Sequence, residues 1–216
     1  MSRLKLHGYF RSSAAYRVRI ALNLKGLDYD QASIHLRKGV QFSPDYRKLN
    51  PAQLVPALED GPLVLRQSMA IIEYLDETHP NPPLLPQDPA GRARVRALAQ
   101  DISCDIHPLD NLRVLVYLEK NLGQDQKSRD RWFAHWIEQG FAGMETVLAG
   151  SRQTGRFCHG DAPGLADICL VPQVANAGRV NLDMTPYPTI ARIHAECQKL
   201  PAFQKALPMN QPDAEK

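Results

Sequence analysis

The chain has 216 residues, enough for one large domain or two small ones, and its 44% hydrophobic and 23% charged residues are ordinary globular usage. Collagen-like, low-complexity and disordered chains are thereby excluded. The net charge of +3 is spread along the sequence without a basic run, so no nucleic-acid partner is expected.

In chain order, KLHGYF reads as a strand, SAAYRVRIALNLKG as a helix closed by Gly26, and YDQASIHL as a second strand. A short helix near Ser43 to Leu49 follows, then two apolar runs, Val55 to Leu58 and Leu63 to Leu65. Glu59, Asp60, Gly61 and Pro62 between them suit a hairpin, and a helix spans Ser68 to Thr78. The order βαβαββα implies a parallel pair of strands followed by an antiparallel pair. Prolines 80, 82, 83, 86 and 89 then break both helix and sheet, so the first domain is expected over 1–80 and a linker over 81–89.

Beyond the prolines the periodicity is helical throughout. Val95, Leu98, Ile102, Ile106, Leu109, Leu112 and Val116 step by three or four, which predicts one long amphipathic helix. Further helices are expected over Ser128 to Leu148, Leu165 to Ala177 and Pro188 to Leu200, making 90–216 an all-α domain. The fold class is therefore α/β plus all-α. The N-terminal residues lack the apolar core of a signal peptide, and nowhere do 18 apolar residues follow one another, which predicts a cytoplasmic chain with no membrane partner. Cys104, Cys158, Cys169 and Cys197 have no metal-ligand spacing and read as reduced thiols, with no metal expected.

Three junctions carry chemistry. Arg11, Ser12 and Ser13 lie between a strand and a helix, where free backbone N–H groups and the helix dipole favour an anion. A serine here serves as an N-cap, and its hydroxyl also suits a thiolate; these residues alone leave both readings open. Val55-Pro56 enters a short strand, and X-Pro is the common site of a cis bond that exposes backbone to a peptide-like ligand. Gln67-Ser68 precedes a helix whose N-terminus suits either a serine cap or a ligand carboxylate.

The segments SSAAYRVRIALNLKG, NPAQLVPAL, QSMAIIEYLDE, LLPQDPAGRARVRALA, DIHPLDNLRVL and GDAPGLADICLVPQVANAGR, followed by TPYP, occur in an order that resembles the zeta class of glutathione transferases. Within that class the likeness is to the maleylacetoacetate and maleylpyruvate isomerases, and it runs over nearly all of residues 4–213. It implies a thioredoxin-like first domain, a helical second domain, glutathione as cofactor and a homodimer. The implied reaction is cis-trans isomerisation of a dianionic maleyl diketo acid by reversible addition of the glutathione thiolate. Maleylacetoacetate is the first expectation for substrate and maleylpyruvate the alternative.

Carried onto this chain, the resemblance makes Ser12 the hydroxyl that stabilises the thiolate, with Ser13 beside it. Val55, before a cis Pro56, would pair with the cysteinyl backbone, Gln67 and Ser68 would hold the γ-glutamyl end, and Gln41 and Gln53 would lie nearer the glycyl end. His107 and Asn111 would reach glutathione from the helical domain, with His107 also a catalytic candidate. Arg11, Arg113 and Arg179 would bind substrate carboxylates, Arg11 close to the chemistry. Ala14 stands where many members of the class have Cys, so no protein thiol adjoins the cofactor. Gly164 stands where a Ser or Thr usually opens the capping box, while Asp167 is retained to bond back to the backbone.

Arg113 lies six residues after His107, about 120° round an ideal helix at 100° per residue, so a kink or its own length must bring it in. Pro108 supplies the reason for a kink. Two rival readings follow from the same residues: a general transferase that releases its conjugate, and a non-catalytic interaction module on the same fold. The carboxylate-binding arginines argue against the first, and Ser12, Pro56, Gln67 and Ser68 against the second.

Overall fold

In the computed structural model, which describes residues 3–215, β1 (Leu4–Gly8) turns Leu4 and Leu6 into the core and Lys5 out to solvent. It leads through Ser12 into α1 (Ser13–Leu24), and β2 (Tyr29–Ser33) returns parallel to β1, with Leu6 opposite Gln31. Two 3-10 turns, α2 (Pro44–Leu49), β3 (Ala57–Asp60), β4 (Leu63–Arg66) and α3 (Ser68–Thr78) follow. The sheet order is β2-β1-β3-β4, with β3 antiparallel to both β1 and β4. This is the expected βαβαββα order.

The strand limits differ from the sequence reading for local reasons. β1 stops at Gly8, and β2 ends at Ser33, after which the chain winds into turns and Gly39 takes a φ of 74°. β3 begins at Ala57 because Pro56 has no N–H to donate to a ladder. Gly61, with a φ of 57°, occupies the two-residue turn of the β3–β4 hairpin, where a side chain would be strained. Ile20, Leu22, Leu58, Ile71 and Leu75 are fully buried and form the centre of this unit's core. Lys25 is buried too, and its ammonium donates to Asp76 and to the carbonyls of His79 and Pro82, tying the end of α1 to the end of α3.

The chain divides into two compact units, one running to Leu84 and resuming at Gln198, the other Leu85 to Cys197. The reading of 90–216 as one helical domain is thus corrected at its end. α10 (Pro201–Ala206) lies against α1, where the buried Arg19 donates to the Ala206 carbonyl at 3.1 Å and Asn23 to that of Ala202 at 2.9 Å.

The second unit contains α4 (Pro89–Gln100), a π-helical turn (Asp101–Ile106), α5 (His107–Asp110), α6 (Leu112–Lys120), α7 (Gln126–Ala149) and α8 (Leu165–Gly178). It also holds nearly all of α9 (Pro188–Gln198). The single long helix expected through Val116 is broken: Pro108 cannot donate its nitrogen, the turn before it widens, and Asn111 leaves helical space at ψ 144°. At the start of α8 the buried Asp167 carboxylate accepts from Gly164 N at 2.9 Å and Cys158 N at 2.8 Å, as the retained capping residue predicts. Burial holds its carboxyl above the ordinary range. Among the described residues no helix is long and apolar enough to cross a membrane.

Candidate active site

Sheet register gathers three of the sequence-predicted junctions. His7 at the end of β1 lies opposite Ala57 at the start of β3, and Ala57 lies opposite Arg66 at the end of β4. Arg11-Ser12, Val55-Pro56 and Gln67-Ser68 therefore leave the same end of the sheet. Arg17 on α1 reinforces this grouping, since its buried guanidinium donates to Ser68 Oγ at 3.3 Å.

Ser12 is the N-cap of α1: its Oγ accepts from Ala15 N at 3.2 Å. A hydroxyl that accepts with a lone pair still has its proton to give, so capping and donation to an anion are compatible roles for one side chain. Ser12 is half-buried, whereas Ser13 and Ala14 are buried within the first turn. Arg11 beside it is exposed.

The Val55–Pro56 peptide is cis. Its approach is held from behind: the Leu54 carbonyl accepts from Tyr46 Oη at 2.6 Å and from Asn50 Nδ2 at 2.7 Å. Burial raises the Tyr46 phenol to about 12, so it remains a donor throughout the neutral range. Gln53 and Gln67 both carry positive φ, 57° and 69°, in a region that non-glycine residues rarely occupy. Backbone held this way clusters at ligand sites, and among the described residues two of the three such non-glycine positions are predicted ligand residues, the third being Asn181 at 52°. Gln67, and not Ser68, is the N-cap of α3, and it makes no side-chain cap; Ser68 opens the helix as its first residue. Gln41 is buried, with Nε2 on the Leu36 carbonyl at 3.2 Å.

On the second unit, His107 opens α5 and Asn111 follows it in extended conformation, so the two do not lie on one continuous helix. They still meet: Asn111 Nδ2 lies 3.3 Å from His107 Nε2. An amide nitrogen only donates, so Nε2 accepts and the ring proton sits on Nδ1, which faces Asp110 Oδ1 at 3.7 Å. Asn111 Oδ1 meanwhile caps α6 through Arg113 N at 3.1 Å. Arg113 itself is exposed at the first turn of α6, and the ideal-helix angle that set it against His107 does not apply across this break. Arg179 caps the end of α8, exposed, with Nη1 on Asn176 Oδ1 at 3.3 Å and its guanidinium over the Phe133 ring.

Anchors of the His107 turn escaped the sequence reading. Asp110 is buried and accepts from the fully buried Gln173 at 2.8 Å, and Trp132 Nε1 donates to the Leu109 carbonyl at 2.8 Å. The available signal was Gln173 itself, a polar residue in the middle of the apolar α8. Of the cysteines, Cys158, Cys169 and Cys197 are buried, and burial pushes the Cys158 and Cys197 thiols up, away from nucleophilic use.

A four-stranded βαβαββα unit with a helical companion is the fold of the glutathione transferase class. Residues 2–77 match the family model for the glutathione S-transferase N-terminal domain. A probable maleylacetoacetate isomerase of Vibrio cholerae is 52% identical over 216 residues, covering 99% of this chain and all of that protein. A bacterial zeta-class maleylpyruvate isomerase, solved in its holo form, is 49% identical with a TM-score of 0.96, covering 98% of this chain and all of the other. A maleylacetoacetate isomerase of Methylobacterium extorquens, solved with bound malonate and glutathione, is 43% identical with a TM-score of 0.95, over 98% and 100% of the two chains. The chain belongs to the zeta class of the glutathione transferase family.

Proposed function

We propose that the protein is a glutathione-dependent isomerase that converts maleylacetoacetate to fumarylacetoacetate, acting as a cytoplasmic homodimer. The observation that carries this reading is the grouping of Ser12, Val55 and Ser68 at one end of one sheet, together with the fact that Ser12 caps α1 while keeping a proton to donate. These residues fit glutathione: a hydroxyl at a helix N-terminus for the sulfur, a main-chain edge at Val55 for the cysteinyl peptide, and the N-terminus of α3 for the γ-glutamyl carboxylate.

Bound glutathione supplies a thiolate whose reversible addition to the maleyl double bond leaves a single bond that can rotate. Ser12 donates to the sulfur, and the dipole of α1 adds to the effect that lowers thiol pKa values at helix N-termini from about 8.5. Gln67 and Ser68 take the γ-glutamyl end, with Gln41 and Gln53 toward the glycyl end and Ser13 supporting the turn. On the second unit His107 and Asn111 are ligand contacts. Arg11, Arg113 and Arg179 bind carboxylates, for which planar guanidinium forks are suited. That a 43% identical relative holds malonate, a dicarboxylate, together with glutathione supports the assignment of these arginines.

The maleylpyruvate reading is favoured by the 49% identical maleylpyruvate isomerase. A steady-state assay with both diketo acids, each with and without glutathione, separates the two. The proposal requires isomerisation of maleylacetoacetate that depends on glutathione; isomerisation of neither acid would overturn it.

A further inference from the structure

The β1–α1 loop that carries Arg11 and Ser12 is held on both sides of one residue, Phe10, by groups that the chemistry above does not use. Phe10 N donates to Asp213 Oδ2 at 3.0 Å, and Phe10 O accepts from Arg19 Nη2 at 3.1 Å. Asp213 lies 203 residues further along the chain and is pinned by a second donor, Ser33 Oγ at 3.0 Å. The segment that carries it is itself fastened to the first unit. Gln211 is buried; its Oε1 accepts from Gln31 Nε2 on β2 at 2.9 Å, and its Nε2 donates to the Lys205 and Leu207 carbonyls, each at 2.8 Å. Glu215 pairs with His35, whose ring packs against Tyr9. The next turn starts immediately, with Ser12 N donating to the Tyr9 carbonyl at 2.9 Å.

We infer that residues 211–215 form a strap that sets the position of Ser12, with Asp213 as the positioning residue and Arg19 as its counterpart on the other face of Phe10. The inference rests on the role proposed for Ser12 toward the thiolate. A carboxylate accepting a main-chain N–H is among the stronger hydrogen bonds, and a catalytic group displaced by about 1 Å loses up to 100-fold in rate. The buried Arg19 cannot move without giving up two carbonyls, so Asp213 is the adjustable half of the clamp.

Positioning and simple charge predict opposite signs. Removing a carboxylate near the thiolate relieves like-charge repulsion and would lower the thiol pKa. Loosening Phe10 takes the Ser12 proton away from the sulfur and raises it. The test is ultraviolet titration of the thiolate of bound glutathione, with kcat and KM for isomerisation, in wild type, Asp213→Asn and Asp213→Ala, each held well below its own melting temperature. The expected result is a raised thiol pKa and kcat/KM lowered about tenfold or more in Asp213→Ala, with a smaller shift of the same sign in Asp213→Asn, which keeps a neutral acceptor. An unchanged or lowered thiol pKa in the folded variants would overturn the strap, and Asp213→Asn decides alone where Asp213→Ala does not fold. If wild type shows no thiolate at neutral pH, the role of Ser12 fails first and the strap with it.

Discussion

In the proposed reaction Ser12 serves structure and chemistry together. Its oxygen accepts from Ala15 N, which leaves the hydroxyl proton available for the donation to sulfur proposed above. Replacing Ser12 by Ala should lower turnover by more than tenfold, because a hydrogen bond to a charged partner is worth about 1.5–3 kcal/mol. The lost cap should cost about 1 kcal/mol of stability besides. Ser13→Ala should cost less activity, since Ser13 is buried within the first turn of α1. Steady-state rates at neutral pH check the pair, and equal rates for Ser12→Ala and wild type would end the assignment. At this scale the sequence was informative at Ser12, whose type and neighbours define an N-cap, and less so at Ser68, which opens α3 while Gln67 takes the cap position. It was silent on the Asp110–Gln173 bond and on the Asp213–Phe10 bond, which join residues 63 and 203 apart, and it gave Asn111 a helical position that the structure replaces with a cap.

Elements were legible where hydrophobic period and punctuation agree. β1, α1, the β3–β4 hairpin and α3 follow from alternation, Gly26 and Gly61, whereas the apolar spacing through Val116 continues across a break that only Pro108 announces. Register is fixed partly by polar pairs that no pattern reveals. His7 Nε2 and Glu59 Oε1 lie 2.5 Å apart between β1 and β3, and this hydrogen bond lowers the Glu59 carboxyl below its ordinary value of 4.5. A carboxyl with a depressed folded pKa contributes stability above its unfolded pKa and loses it as pH falls through the folded one. Glu59→Gln should therefore flatten the acid limb of a denaturation series below about pH 4.5, by about 1 kcal/mol or less for a partly exposed carboxylate. An acid limb identical to wild type would remove the pair from the stability account. Lys25 is the stronger case, with its side chain fully buried and three acceptors on its ammonium. Lys25→Ala leaves Asp76 without its charged partner and should destabilise by about 3–5 kcal/mol, read as a fall in denaturation midpoint.

For the molecule as a whole, the two units offer different resources: the first the sheet end with Ser12, Val55 and Ser68, the second His107, Asn111 and Arg179. Phe42 and Leu63 on the first unit and Tyr117 and Leu122 on the second are exposed apolar side chains, which suits the proposed homodimer. Light scattering at micromolar concentration should give twice the 24.2 kDa chain mass, and a particle of 24.2 kDa would refute the dimer.

In the proposed site the arginines separate the two activities, because an isomerase of a dianion needs carboxylate binding and a general transferase does not. Arg11 and Arg179 are both exposed, and the Arg179 guanidinium donates to the neutral Asn176 amide and lies over the Phe133 ring. Replacing either by Met should lower kcat/KM for the maleyl diketo acid by roughly 2–4 kcal/mol, the cost of a charged hydrogen-bonded pair losing one partner. Conjugation of glutathione to an uncharged chlorinated nitrobenzene should barely change in the same variants, which separates lost carboxylate binding from damage to the thiolate site. Lys at either position should fall between, since the charge is kept and the planar fork is lost. Arg11→Met and Arg179→Met enzymes that isomerised the dianion at the wild-type rate would remove the carboxylate role, and the broader conjugating activity would then be the better account of the site.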